Sequence, residues 1–154
     1  MKNEKQIDVL NKLIEINNDR IEGYETASEE TKEPDLKELF SRLSETSVKC
    51  KEDLISEVFR LGGEPTEGTR TSGKFFRAWM DIKTSLAGND RKAILSSCEF
   101  GEDVAVATYA NVLKNNTEDL NADQMGMVIL QHQQIKADHD EVKSLRDELV
   151  DAEK

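Results

Sequence analysis

Apolar residues recur at intervals of three and four along almost the whole chain, and no stretch of useful length alternates as a half-buried strand does. Five helices follow from this period. The first covers residues 4–30, with Ile7, Leu10, Ile14, Ile21 and Tyr24 as its stripe and Leu13 on the flank. At its end Pro34 cannot continue a helix, and Asp35 can cap the next one. The second covers 35–61, with Leu36, Leu39, Phe40, Leu43, Cys50, Leu54, Val58 and Leu61 facing one way. Gly62 and Gly63 stop it, with glycine supplying the left-handed residue that helix ends favour.

A loop, GGEPTEGTRTS, leads to a shorter helix over 73–87, for which Ser72 is the candidate cap. Its stripe is Phe75, Trp79, Ile82 and Leu86. Gly88-Asn89-Asp90 breaks and recaps the chain before a helix over 90–115, and a last helix covers 122–150. The order is therefore two long helices, a long connection, then two more long helices. At ~1.5 Å per residue the short helix carries the chain about 22 Å back along the bundle. The fourth helix then runs in the same direction as the second, a four-helix bundle with one long crossover. The reading is an all-α, single-domain chain over 1–154. Phe59 on the second helix and Phe100 on the fourth point away from their own stripes, as do Ile55 and Val104. They are candidates to seat Phe75 and Trp79, or to form a contact with a second copy.

Some polar residues fall where these stripes should be most apolar. Glu102 lies near the middle of the face formed by Leu95, Cys98, Ala105, Val106, Tyr109 and Leu113. Asn17 lies between Ile14 and Ile21, Ser47 beside Cys50, and Gln131 between Val128 and Ile135. Counting rise along each helix puts Asn17, Ser47, Glu102 and Gln131 at one height, to within about a turn. A buried carboxylate needs partners or it becomes neutral. The first expectation is thus a hydrogen-bonded layer in which Asn17, Ser47 and Gln131 serve Glu102. On that expectation, replacing Glu102 by leucine costs little. The second expectation is a single divalent ion (iron, manganese or zinc) held by Glu25, Glu99, Glu102 and His139, about one turn higher. The pair Glu99-x-x-Glu102 has the spacing that puts two side chains on one side of a helix.

Composition narrows the functions. The net charge of −11 repels phosphate backbones and anionic membranes, which argues against nucleic-acid or lipid binding. No run approaches the ~20 apolar residues of a membrane span, and the start carries no signal-like apolar core. Cys50 and Cys98 make no CxxC pair and lie on apolar faces, which reads as a reduced, cytoplasmic chain. Serine-hydrolase, phosphate-loop and zinc-protease motifs are all missing. The expected partner is a second copy of the chain, a dimer first, with an unknown protein docking at Trp79 as the weaker option.

The segments LNKLIEINNDRIEGYETA, LGGEP, RAWMDIK, CEFGEDVAVATY and HDEVKSLRDEL, in that order, resemble one bacterial family, domain of unknown function 2383. The resemblance implies a ferritin-like four-helix bundle and no established activity. Di-iron members of the wider ferritin-like group use a glutamate from each of two helices and Glu-x-x-His from each of the other two. This sequence departs from that. Its second helix has no histidine, and Ile129 and Lys136 stand three residues before His132 and His139. A full di-iron oxidase centre, and any catalytic residue with it, is not expected.

Overall fold

The computed structural model describes residues 3–68 and 73–152, and in the third helix the side chains from Trp79 onward. Among the described residues five helices make the architecture: α1 (Glu4–Glu30), α2 (Pro34–Arg60), α3 (Gly73–Gly88), α4 (Arg91–Asn115) and α5 (Ala122–Ala152). No strand occurs among the described residues. None of these helices is long and apolar enough to cross a membrane.

The helix ends follow local chemistry. α2 begins at Pro34, one residue before its expected start, with Glu33 as the flanking residue. Proline suits a first helical position because its missing N–H would have no intrahelical partner there. Asp35 consequently sits inside the first turn, where it pairs with Arg91 across to α4. At the other end Gly62 has φ +82°. Its N–H donates to the Phe59 carbonyl and that of Gly63 to the Val58 carbonyl, both at 3.0 Å. This is the double hydrogen bond of a left-handed helix stop. α3 ends the same way on Asn89, with φ +53°. Asp90 then caps α4, its Oδ1 accepting from the Ala93 N–H at 3.2 Å. The candidate cap Ser72 lies outside the described residues.

Cross-helix hydrogen bonds give the helix directions. Ser28 Oγ donates to the Lys37 carbonyl near the first turn, and Asn3 Nδ2 to the Leu61 carbonyl at the far end, so α1 and α2 are antiparallel. Asn17 meets Tyr109 and Arg20 meets Glu102, so α4 is antiparallel to α1. Gln131 reaches Cys50 and Arg42 reaches Glu141, so α5 is antiparallel to α2. α2 and α4 therefore run the same way, and the link between them must climb the bundle. It does so along α1. Asn11 holds Glu64 and Thr66, Asn18 holds the Gly68 carbonyl, and the Trp79 ring lies against Gly23.

Among the described residues the core has two apolar clusters. One contains Leu10, Leu13, Ile14, Leu54, Val58, Val112, Val128 and Ile135. The other contains Tyr24, Leu36, Phe40, Leu43, Ile82, Leu86, Leu95 and Val142, with Trp79 packed against it. Tyr24 and Phe40 stack there at 5.9 Å between ring centroids. Trp79 thus rests on Gly23 and the second cluster. Phe59 and Phe100 remain 63% and 41% exposed, while Ile55 and Val104 pack on the first cluster. The side chain of Phe75 is outside the described set.

Candidate functional site

Leu13, Asn17, Arg20 and Tyr24 are spaced four, three and four apart, which lines them up on one helical face. All four are buried. Arg20 is the residue that composition conceals: a charged side chain only 1% exposed, at the join between the two apolar clusters. Ile21, the stripe member expected at this height, is only half-buried.

Arg20 makes a two-pronged pair with Glu102. Nε donates to Oε2 at 2.9 Å and Nη2 to Oε1 at 2.6 Å. Nη1 donates to Ser47 Oγ on α2, and Nη2 also reaches Asp138 Oδ2 on α5 at 3.2 Å. One guanidinium therefore ties all four long helices together. The parallel fork is the strongest arrangement available to an arginine and a carboxylate. The Arg20 guanidinium carbon also lies 5.6 Å from the Tyr24 ring centroid.

The electrostatics follow from this geometry. Burial works against the Arg20 charge, but the adjoining Glu102 carboxylate outweighs it and holds the guanidinium pKa above its usual range. Burial pushes the Asp138 carboxyl upward, with Arg20 opposing. Burial and then the Glu102 charge push the Tyr24 phenol far above its usual range, so it stays neutral. The set is a fixed cation between two acids. Its arginine cannot act as a proton carrier, because it does not give up its proton at any physiological pH.

The other expected polar residues form a separate network. Asn17 Nδ2 donates to the Leu13 carbonyl and to the Tyr109 hydroxyl, both at 2.8 Å. The Tyr109 hydroxyl donates to Gln131 Oε1 at 2.7 Å, and Gln131 Nε2 donates to the Cys50 carbonyl at 3.2 Å. The expected partnership of Asn17, Ser47 and Gln131 with Glu102 is thus replaced by two groupings. Ser47 meets Arg20, not Glu102, and Asn17 and Gln131 meet Tyr109. Seven residues, about two turns, separate Glu102 from Tyr109 on α4. Three groups were not anticipated: Arg20, the Tyr109 hydroxyl and Asp138 as an acceptor. The four-three-four spacing around Asn17 was the available signal for the first.

Of the expected metal set, Glu99 and His139 come together at the α4–α5 rim, within 4.8 Å, and Glu25 and Glu102 are not with them. Glu25 is exposed on α1. Both Glu102 oxygens are bound by Arg20. Glu99 is paired with Arg146 instead. His139 lies at the α4–α5 rim, with Nε2 at 2.6 Å from Asp103 and Nδ1 at 3.0 Å from Asp140. Burial depresses its pKa, but the hydrogen bonds to Asp140 and Asp103 outweigh that and raise it.

Comparison with known proteins places this geometry in a family. A family model matches residues 5–115. The chain belongs to the family described as Domain of unknown function (DUF2383). The DUF2383 match spans α1 to α4 and includes Asn17, Arg20, Ser47, Glu102 and Tyr109, while Gln131, Asp138 and His139 lie beyond it. No curated protein matches the chain.

Proposed function

We propose that this DUF2383 chain is a ferritin-like bundle whose centre is filled by its own cation, and that it works as a non-catalytic binding or structural protein. One observation carries the reading: the Arg20 guanidinium occupies the space between Glu102, Ser47 and Asp138. The fold group implies a pair of metal ions at the bundle centre. The residues there do not fit one. Glu102 spends both oxygens on Arg20, and α2 offers a serine hydroxyl where a metal site needs a carboxylate or imidazole.

The direction pattern, with α2 and α4 alike and a crossover strapped along α1, supports the ferritin-like assignment. The two buried thiols, Cys50 and Cys98, suit a reduced cytoplasmic setting. The reading includes self-association, because Phe59 and Phe100 stand exposed on α2 and α4.

The test is iron chemistry. Ferrous iron added in air should oxidise no faster with the protein than in buffer. Protein-dependent oxidation that Glu102→Gln abolishes would overturn the proposal. Light scattering checks self-association: a parent that scatters as a monomer at every concentration removes that part.

A further inference from the structure

We propose that Glu99, Asp103 and His139 form a site for one divalent transition-metal ion, zinc first, at the rim between α4 and α5. Each of the three side chains offers one ligand atom, and those atoms all lie within 4.8 Å of one another. The site is separate from the bundle centre, whose carboxylate is committed to Arg20.

Several features point to a metal beyond the gathering of acids. An imidazole is among the donors, and one imidazole with two carboxylates suits a borderline ion such as zinc. His139 is oriented from behind, since Nδ1 lies 3.0 Å from Asp140 Oδ1 and the ring thereby turns Nε2 toward Asp103. A carboxylate on the far nitrogen is the usual partner of a metal-bound histidine, fixing its tautomer and direction. Two donors are held firmly: the His139 and Glu99 side chains are 16% and 13% exposed. Asp103 is 58% exposed and free to shift. Zinc bonds of ~2.0–2.2 Å in a tetrahedron need donors about 3.4 Å apart, so the 2.6 Å contact between Asp103 and His139 opens by roughly an ångström to admit the ion, and three protein donors leave one position for water.

Arg146 competes for the site, since it pairs with Glu99. It has an alternative: Asp147 Oδ1 already accepts from Arg146 Nη2 at 2.9 Å and from Nε at 3.2 Å. Metal entry therefore exchanges one cation at Glu99 for another and strands no charge.

Zinc titration of the metal-free protein, read by calorimetry or a competing chromophoric chelator, tests this. We expect saturable binding of one zinc per chain. His132→Gln should bind as the parent does. His139→Gln should weaken binding by well over about tenfold, and Asp140→Asn by about 10- to 100-fold. Arg146→Gln should tighten binding more than Lys143→Gln, which makes the same charge change away from Glu99. Circular dichroism confirms that each variant is folded, which these rim positions permit. Absence of saturable binding, or equal affinity of parent and His139→Gln, overturns the proposal.

Discussion

Arg20 and Glu102 face each other across the bundle centre through two parallel hydrogen bonds, at 2.6 and 2.9 Å, with 1% and 0% of their side chains exposed. Neither charge has water to fall back on. A pair like this contributes less through attraction than through what its rupture exposes. Glu102→Leu should therefore destabilise the fold by ~3–5 kcal/mol in urea unfolding, because it strips the two-pronged partner from a buried Arg20 and leaves it only Asp138, at 3.2 Å. This reverses the expectation, formed without Arg20, that the leucine would cost little. The double variant Arg20→Met/Glu102→Leu should recover most of the loss. A double variant that loses as much as the two single variants added together would show that the two side chains are not coupled.

Tyr109 holds the second network together with one oxygen. Its hydroxyl accepts from Asn17 and donates to Gln131, and the ring is fully buried. Tyr109→Phe keeps the ring but strands the Gln131 acceptor. The expected cost is ~1–3 kcal/mol, the desolvation of a buried group left unpaired. Adding Gln131→Leu should return part of it. An unchanged unfolding midpoint in Tyr109→Phe would mean that the hydroxyl contributes nothing.

Glu102 was legible in the sequence because α4 is otherwise apolar on that face, so a carboxylate there stands out. Arg20 was not, for a geometric reason. On α1 it projects from the flank of the Leu10–Asn17–Tyr24 stripe, where a backbone-based wheel places it at the margin. Its long stem carries the guanidinium inward to the level of Glu102, beyond what residue angle alone conveys. The crossover was legible for the opposite reason, since it rests on chain length and helix rise. The link's path along α1 was not, because it depends on single hydrogen bonds from Asn11 and Asn18 to loop backbone. His139 lies beside Glu99, one of the residues expected with it, but not beside Glu25 or Glu102. Height counting fixes level along the axis and leaves the choice between core and rim open, and Asp103 on the rim reaches it first.

The thiols should be silent until the fold opens. Burial pushes Cys50 up to about 11, from an ordinary thiol value of 9.0, and pushes Cys98 up as well. A raised thiol pKa favours the neutral form in the folded state. The stability linked to Cys50 is therefore complete below the unfolded value of 9.0 and is lost as pH climbs toward about 11. Disulfide-exchange reagents at pH 8 should label the native protein only at the rate of opening, and both thiols at once in urea. Urea midpoints should fall above pH 9, and less steeply in Cys50→Ala. Rapid labelling at pH 8 without denaturant would contradict the burial of these side chains.

Gly63 lets the end of α2 close onto the start of α1. A β-carbon built there would lie 2.7 Å from Ile7 Cδ1 and 3.0 Å from both Ile7 Cγ1 and Cγ2. Three atoms of one branched side chain are involved, so a rotation of its tip does not clear them all. Gly63→Ala should cost ~1–3 kcal/mol as an overpacked contact. Gly62 differs. Its surroundings are open, and its constraint is the left-handed φ of +82°, so Gly62→Ala should cost about 1 kcal/mol through backbone strain. The two causes separate in a double variant. Ile7→Ala should relieve most of the Gly63→Ala penalty and none of the Gly62→Ala penalty, measured by urea unfolding of all five proteins beside the parent. If Ile7→Ala leaves the Gly63→Ala loss in place, the defect lies in the helix stop and not in the contact between α1 and the turn.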